Sequence, residues 1–131
     1  MFILIQQTNK MLKEILIVGA GGGVGSIFRY LTALAFKTSA FPGTIFINVV
    51  GCFLIGIFVG LELRHFTDPN FKLFMIVGFC GGFTTFSAFS LENFHLLEKE
   101  KYLSVLLYIS ISVIAGLVAT WLGMKLTSPI K

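Results

Sequence analysis

Leu73 to Leu91 reads LFMIVGFCGGFTTFSAFSL, an uncharged apolar stretch with GGFTT at its centre. Its length matches one passage through a bilayer, whose hydrocarbon core of roughly 30 Å takes about 20 residues of helix. The centre does not suit a continuous helix. Gly81 and Gly82 followed by Thr84 and Thr85 combine poor helix formers in mid-span, so the pattern predicts a local break. Inside a membrane a break survives only where protein, water or an ion satisfies the freed carbonyls. Beyond it, Phe86 and Phe89 are three apart and share a helix face, with Ser87 and Ser90 beside them. Phenylalanine in a membrane is ordinarily lipid contact or core. Hydroxyls interleaved with it on a broken helix set this segment apart.

Three further stretches are long enough to span. Ile15 to Phe36 is interrupted only by Arg29, while Thr44 to Leu61 and Tyr102 to Met124 carry no charge. The composition demands such a reading. Of 131 residues, 56% are hydrophobic and 12% charged, with a mean hydropathy of +0.92, whereas soluble domains carry about 25% charged residues. A soluble chain this short has too little interior for so much apolar side chain. Strands are excluded, because open sheet edges cannot sit in lipid and a closed barrel needs about eight strands. The expectation is an all-α membrane protein: one domain over residues 1–131, four transmembrane helices, the third broken in mid-membrane. The connections Lys37–Gly43, Glu62–Lys72 and Glu92–Lys101 leave no room for a soluble domain. Met1 to Ile5 is too short an apolar run for a signal peptide, so the mature chain is expected to be the whole chain.

The net charge of +4 is scattered, with no basic run, which argues against a nucleic-acid partner. Cys52 and Cys80 lie in apolar stretches and read as small buried hydrophobes. Four spans place both termini and the second connection on one side, with Lys10, Lys13, Arg64, Lys72, Lys125 and Lys131. Arg29, Lys37, Lys99 and Lys101 fall on the other. So even a split gives the positive-inside rule little to act on. The charges allow a fixed orientation or insertion both ways up.

Lys13 to Ser26, KEILIVGAGGGVGS, looks like a strand entering a dinucleotide-binding turn. That fingerprint needs glycines at relative positions 1, 3 and 6. Counted from Gly19 the sixth position is Val24, and counted from Gly21 it is Ser26. No acid lies between Glu14 and Glu62 to hold a ribose hydroxyl. The glycines are better explained by close helix packing. No enzyme constellation is evident: His65 and His95 sit far apart near span ends, and Asp68 is alone in a loop.

Polar groups within the spans carry the remaining information. Asn48 in span two brings an amide into lipid, and helix–helix packing is its simplest reading, with Gly56 and Gly60 nearby as a small-xxx-small pair. Span four carries Ser104, Tyr108, Ser112, Gly116 and Thr120 at steps of four, on one face. Such a stripe either bonds a partner helix or lines a wet path.

Three segments together resemble one family: GGGVGSIFRY (Gly21–Tyr30), PGTIFINVVG (Pro42–Gly51) and GFCGGFTTFSAFSLEN (Gly78–Asn93) are similar to the Fluc (CrcB) fluoride channels. The resemblance covers all four spans in order, and the third segment is the most specific. One departure is Ala88, where the family often has a hydroxyl residue; no side-chain anion contact carries over there. The resemblance implies a multi-pass protein of the cell (inner or plasma) membrane, working as an antiparallel, dual-topology homodimer that passes fluoride out of the cytoplasm. It implies pores lined by Asn48, Phe86, Phe89, Ser87, Tyr108 and Ser112, with Arg29 in a vestibule and Glu92 near the end of the path. It also implies a structural sodium ion, Na+, on the backbone carbonyls of Gly81 and Thr84. The protein would be no enzyme.

Fluoride is small and strongly hydrated, so a pore must replace its water with hydroxyl and amide donors. A phenyl ring offers a positive edge to an anion without a fixed charge that would trap it. Two other classes compete. A small four-helix drug/proton antiporter could share dual topology, but it needs a membrane-embedded carboxylate, and Glu14 stands only at the edge of span one. A non-transporting interaction protein would not need a hydroxyl stripe beside a broken helix.

Overall fold

The structure, a computed structural model, describes residues 1–36, 40–64 and 68–127. Helix 1 runs Phe2–Ala35, helix 2 Ala40–Leu63 and helix 4 Tyr102–Thr127. The third span is two half-helices. Pro69–Lys72, Leu73–Cys80 and Gly81–Phe83 run on as helix 3a, and Phe86–Glu98 forms helix 3b. Ile3–Ala35, Gly43–Leu63, Pro69–Glu98 and Tyr102–Thr127 are each long and apolar enough to cross a bilayer. Their outer faces present large apolar side chains such as Ile114, Leu117 and Trp121, as lipid contact requires. The chain is a multi-pass membrane protein. His65, Lys37 and Lys131 lie outside the described residues.

Helix 3a starts where Asp68 accepts the Phe71 N–H at 2.8 Å, with Pro69 in the first turn where its missing N–H costs nothing. The loop position of Asp68 is thus a cap. Lys72 pairs with Glu62, tying the start of helix 3a to the end of helix 2. Leu73–Cys80 is wound as a π-helix, a looser coil that is rare over this length and tends to accompany functional sites.

Packing is dominated by two pairs, helix 1 with helix 3a and helix 2 with helix 4. Lipid gives no hydrophobic drive for helices to meet, so close backbone approach must supply the attraction. A Cβ on Gly21 would collide with the Phe74 carbonyl oxygen, and one on Gly25 with that of Phe79. From the opposite side, Gly82 sits against the Gly22 carbonyl and Gly78 against that of Val18. The glycine run in helix 1 is therefore a packing surface, as its failed nucleotide-binding spacing indicates. Gly56 and Gly123 do the same for helices 2 and 4, against the Thr120 and Phe53 carbonyls.

The break falls where the sequence signal is, but on different residues from the glycines. Gly81 is helical at φ −63°, ψ −37°. The chain leaves the helix at Thr84 (φ −74°, ψ 157°) and Thr85 (φ −147°, ψ 112°). Both angles suit β-branched side chains, while Gly82 serves the contact with helix 1.

This packing separates two glycines that look alike in sequence. Gly25→Ala should cost about 1–3 kcal/mol of stability through overpacking against backbone. Gly23→Ala should cost nothing, because no atom lies within 4 Å of its Cβ position. Thermal unfolding of the two variants in the same detergent measures the difference.

Candidate functional site

The break is held by one side chain. Asn48 Nδ2 donates to the Thr85 carbonyl at 3.1 Å, and the Thr85 N–H donates to Asn48 Oδ1 at 2.8 Å. Helix 2 thereby satisfies the backbone of the residue that helix 3 leaves unpaired. Thr85 also caps helix 3b, its hydroxyl accepting the Ala88 N–H at 3.2 Å. Its hydroxyl lies 3.1 Å from that of Ser87.

Two carbonyls lose their partners as a result. In an unbroken helix the Thr85 N–H would bond Gly81 and the Ala88 N–H would bond Thr84. Both donors are engaged elsewhere, on Asn48 and on the Thr85 hydroxyl. Gly81 and Thr84 thus lack these helical donors beside the break. Both residues line a cavity of about 340 Å³ together with Asn48, Cys52, Cys80 and Phe86.

On the other side of the break, Glu92 gathers three helices. Its Oε1 accepts the Thr44 hydroxyl of helix 2 at 2.6 Å and its Oε2 accepts the Tyr108 hydroxyl of helix 4 at 2.6 Å. The Tyr108 ring meets Phe89 edge-on, 5.1 Å between centroids, and Phe89 lies 5.7 Å from Phe86. Ser112, one turn along helix 4 from Tyr108, has a buried hydroxyl with no protein partner. Arg29 and Glu92 line one cavity of about 520 Å³, with Ser26, Thr44 and Thr85. Phe86 is 79% exposed in the single chain, facing away from its own core.

Hydroxyls, an amide and aromatic rings are thus gathered around the break and along helix 3b. The chain matches the model of the CrcB-like protein family, Camphor Resistance (CrcB), over residues 16–124. It belongs to the CrcB family. Relatives of this CrcB chain named fluoride-specific ion channel FluC include one from Azobacteroides pseudotrichonymphae, 52% identical over 89% of this chain and 98% of that protein. One from Flavobacterium psychrophilum is 48% identical over 86% and 95%. Another, from Phocaeicola vulgatus, is 41% identical over 86% and 97%.

The structure brings Asn48, Ser87 and Thr84 together at the break, and Phe86, Phe89, Tyr108 and Glu92 along one side of it. Arg29 stands across a cavity from Glu92. The helix 4 stripe divides. Gly116 packs on Cys52, and the Thr120 hydroxyl bonds its own Gly116 carbonyl at 3.1 Å, so this end is interface. Tyr108 and Ser112 form the polar end, and Ser104 is exposed. Thr44 was not singled out in the sequence. Its signal was available, since it stands four residues before Asn48 on the same face of helix 2.

Asn48→Ala should leave the Thr85 N–H and carbonyl unpaired, at about 1–3 kcal/mol for each buried group. The expected result is amide exchange at Thr85 faster by on the order of tenfold or more, measured by NMR in micelles. Unchanged exchange would remove the bridging role.

Proposed function

We propose that this chain is a fluoride-selective channel that lets cytoplasmic fluoride leave passively and so protects against its toxicity. The observation that carries the reading is the buried Ser112 hydroxyl without a partner, set beside the Tyr108 and Phe89 pair. A buried polar group is normally satisfied. Fluoride is an acceptor that a lone hydroxyl donor suits. The names of the relatives support the same reading.

In this reading fluoride meets Asn48, Ser87, Tyr108 and Ser112 in turn, with the edges of Phe86 and Phe89 between them. Asn48 keeps one N–H free for the ion after its bond to Thr85. Weak sites in series let the ion leave as well as enter. Arg29 raises the anion concentration in the vestibule, and Glu92 holds Tyr108 and Thr44 in place at its end. Passive flow through such a path needs no catalysis. The antiporter reading is not favoured: Glu14, the carboxylate nearest span one, sits 4.0 Å from Lys10 on an exposed stretch.

The working unit in this reading is an antiparallel homodimer, supported by the even spread of Lys and Arg and by the exposed Phe86. The freed Gly81 and Thr84 carbonyls fit a structural sodium ion shared by two copies, since oxygen donors suit a hard cation. Such an ion would supply the positive charge that the two carbonyls lack and pin the copies together.

Fluoride efflux from liposomes holding the purified chain tests the function; no efflux above protein-free vesicles would overturn it. Ser112→Ala should slow that efflux about tenfold or more, because a hydrogen bond to a charged group is worth about 1.5–3 kcal/mol. Replacing sodium exhaustively by a large organic cation should abolish flux or split the dimer. Flux unchanged over hours, with the dimer intact, would remove the sodium ion from the account.

A further inference from the structure

A hydroxyl inside a helix commonly bonds its own backbone, and Thr8, Thr32 and Thr120 each donate to the carbonyl four residues earlier. Ser26 does not. Its hydroxyl crosses from helix 1 to helix 3a and donates to the Gly82 carbonyl at 3.4 Å. The glycine contacts make the reach possible, since Gly22 and Gly25 bring the helix 1 backbone onto Gly82 and Phe79. In a continuous helix the Gly82 carbonyl would take the Phe86 N–H. Phe86 instead opens helix 3b, beyond the extended pair Thr84 and Thr85. The Ser26 hydroxyl stands in for that donor, but weakly: its bond is longer than the usual O–H···O separation of about 2.5–3.0 Å.

Ser26 also faces a second acceptor position. It lines the cavity of about 520 Å³ together with Arg29, three residues on and on the same face of helix 1. Arg29 forms no ion pair among the described residues. Apart from Tyr30, which is exposed, the other hydroxyls of this wall are committed. Thr44 donates to Glu92, and the Thr85 hydroxyl is engaged with the Ala88 N–H and Ser87. A hydrogen bond to an anion is shorter and roughly twice as strong as one between neutral groups. An anion drawn to Arg29 therefore prevails over a stretched bond to a carbonyl.

We propose that Ser26 is a further anion ligand of the vestibule, and that fluoride beside Arg29 turns its hydroxyl away from the Gly82 carbonyl. The proposal rests on the fluoride reading above. A serine hydroxyl has one proton to donate, so the two bonds exclude each other. Entry of the ion is thereby felt at the break, because the donor that ties helix 1 to Gly82 is the one offered to the ion.

Carbonyl NMR shifts read this exchange without any flux. Gly78–Phe79 and Gly82–Phe83 are the two glycine–phenylalanine steps in the sequence. The full chain with isotope-labelled glycine carbonyls and phenylalanine nitrogens therefore gives one correlated signal from each in micelles. Fluoride titrated in at constant ionic strength should move the Gly82 signal toward that of a carbonyl without a donor, and leave Gly78 in place. In Ser26→Ala the Gly82 signal should start at the moved position and no longer respond. Arg29→Gln should keep the parent's starting position, with about tenfold more fluoride needed to move it. A purely structural bond would give the Ser26→Ala shift but no fluoride response in the parent, and that result would overturn the proposal. Gly78 and Gly82 moving together would overturn it as well, as a general change in the contact with helix 1. If Gly82 is unmoved while liposomes of the same chain pass fluoride, Ser26 loses its role and the channel reading stands. A Gly82 response in a chain that passes no fluoride would support the ligand and overturn the channel reading instead.

Discussion

A backbone that leaves its helix within a bilayer has no water to turn to, and the exchange of hydrogen bonds between Asn48 and Thr85 answers that constraint. One amide takes both the N–H and the carbonyl of the same residue, as a neighbouring strand would. Its consequences spread outward. With Thr85 held extended, its hydroxyl is free to cap helix 3b, and Phe86 and Phe89 start that helix at a defined angle. The Gly81 oxygen loses its helical donor to Asn48, and the Thr84 oxygen loses its own to the Thr85 hydroxyl. A pore lining and a cation site would thus both descend from a single side chain on helix 2.

The bundle around this point is arranged so that the break is not asked to provide cohesion. Helix 1 is locked to helix 3a below the break through Gly21, Gly25, Gly78 and Gly82, and helix 2 to helix 4 through Gly56 and Gly123. These contacts are backbone against backbone and involve no polar side chain. That leaves the polar side chains for the site. Where the helix 4 stripe enters the glycine contacts, its hydroxyls turn inward onto their own helix, as Thr120 does. Only beyond those contacts does a hydroxyl of the stripe, that of Tyr108, bond another helix.

Much of the fold was legible in the sequence because lipid enforces it. Uncharged stretches near 20 residues can only be helices, and a glycine–threonine cluster inside one can only be a break with compensation. The identity of the compensating group was not legible. Asn48 reads from the residues alone as packing glue, and as an anion donor only through the family resemblance; the structure gives it a bond to Thr85 that composition does not encode. Within that cluster Thr84 and Thr85 carry the break itself, while Gly82 beside them serves the approach of helix 1, since glycine signals both irregular backbone and close approach. Only the position of helix 1 tells these apart. Thr44 was missed because a hydroxyl at a span edge is ordinary until a carboxylate from a segment 48 residues away is seen against it.

On the channel reading, the Glu92 carboxylate raises the question of how a negative group can border an anion path. Each of its oxygens already accepts a hydroxyl, from Thr44 and from Tyr108, both at 2.6 Å. Short bonds to a carboxylate spread its charge over the donors. The same geometry limits Tyr108, which has one proton to give and gives it to Glu92. A fluoride ion reaching Tyr108 must therefore compete with Glu92 for that proton, while Ser112 competes with nothing. On the channel reading the two hydroxyls are unequal sites on one helix face. In that reading the ion would bind first at Ser112 and move on by displacing the carboxylate at Tyr108. Because the displaced carboxylate keeps its bond to Thr44, it stays in place and can recover Tyr108 once the ion has passed. A fixed cation at this point would hold fluoride, and an unbonded carboxylate would exclude it. A carboxylate shared between two hydroxyls does neither.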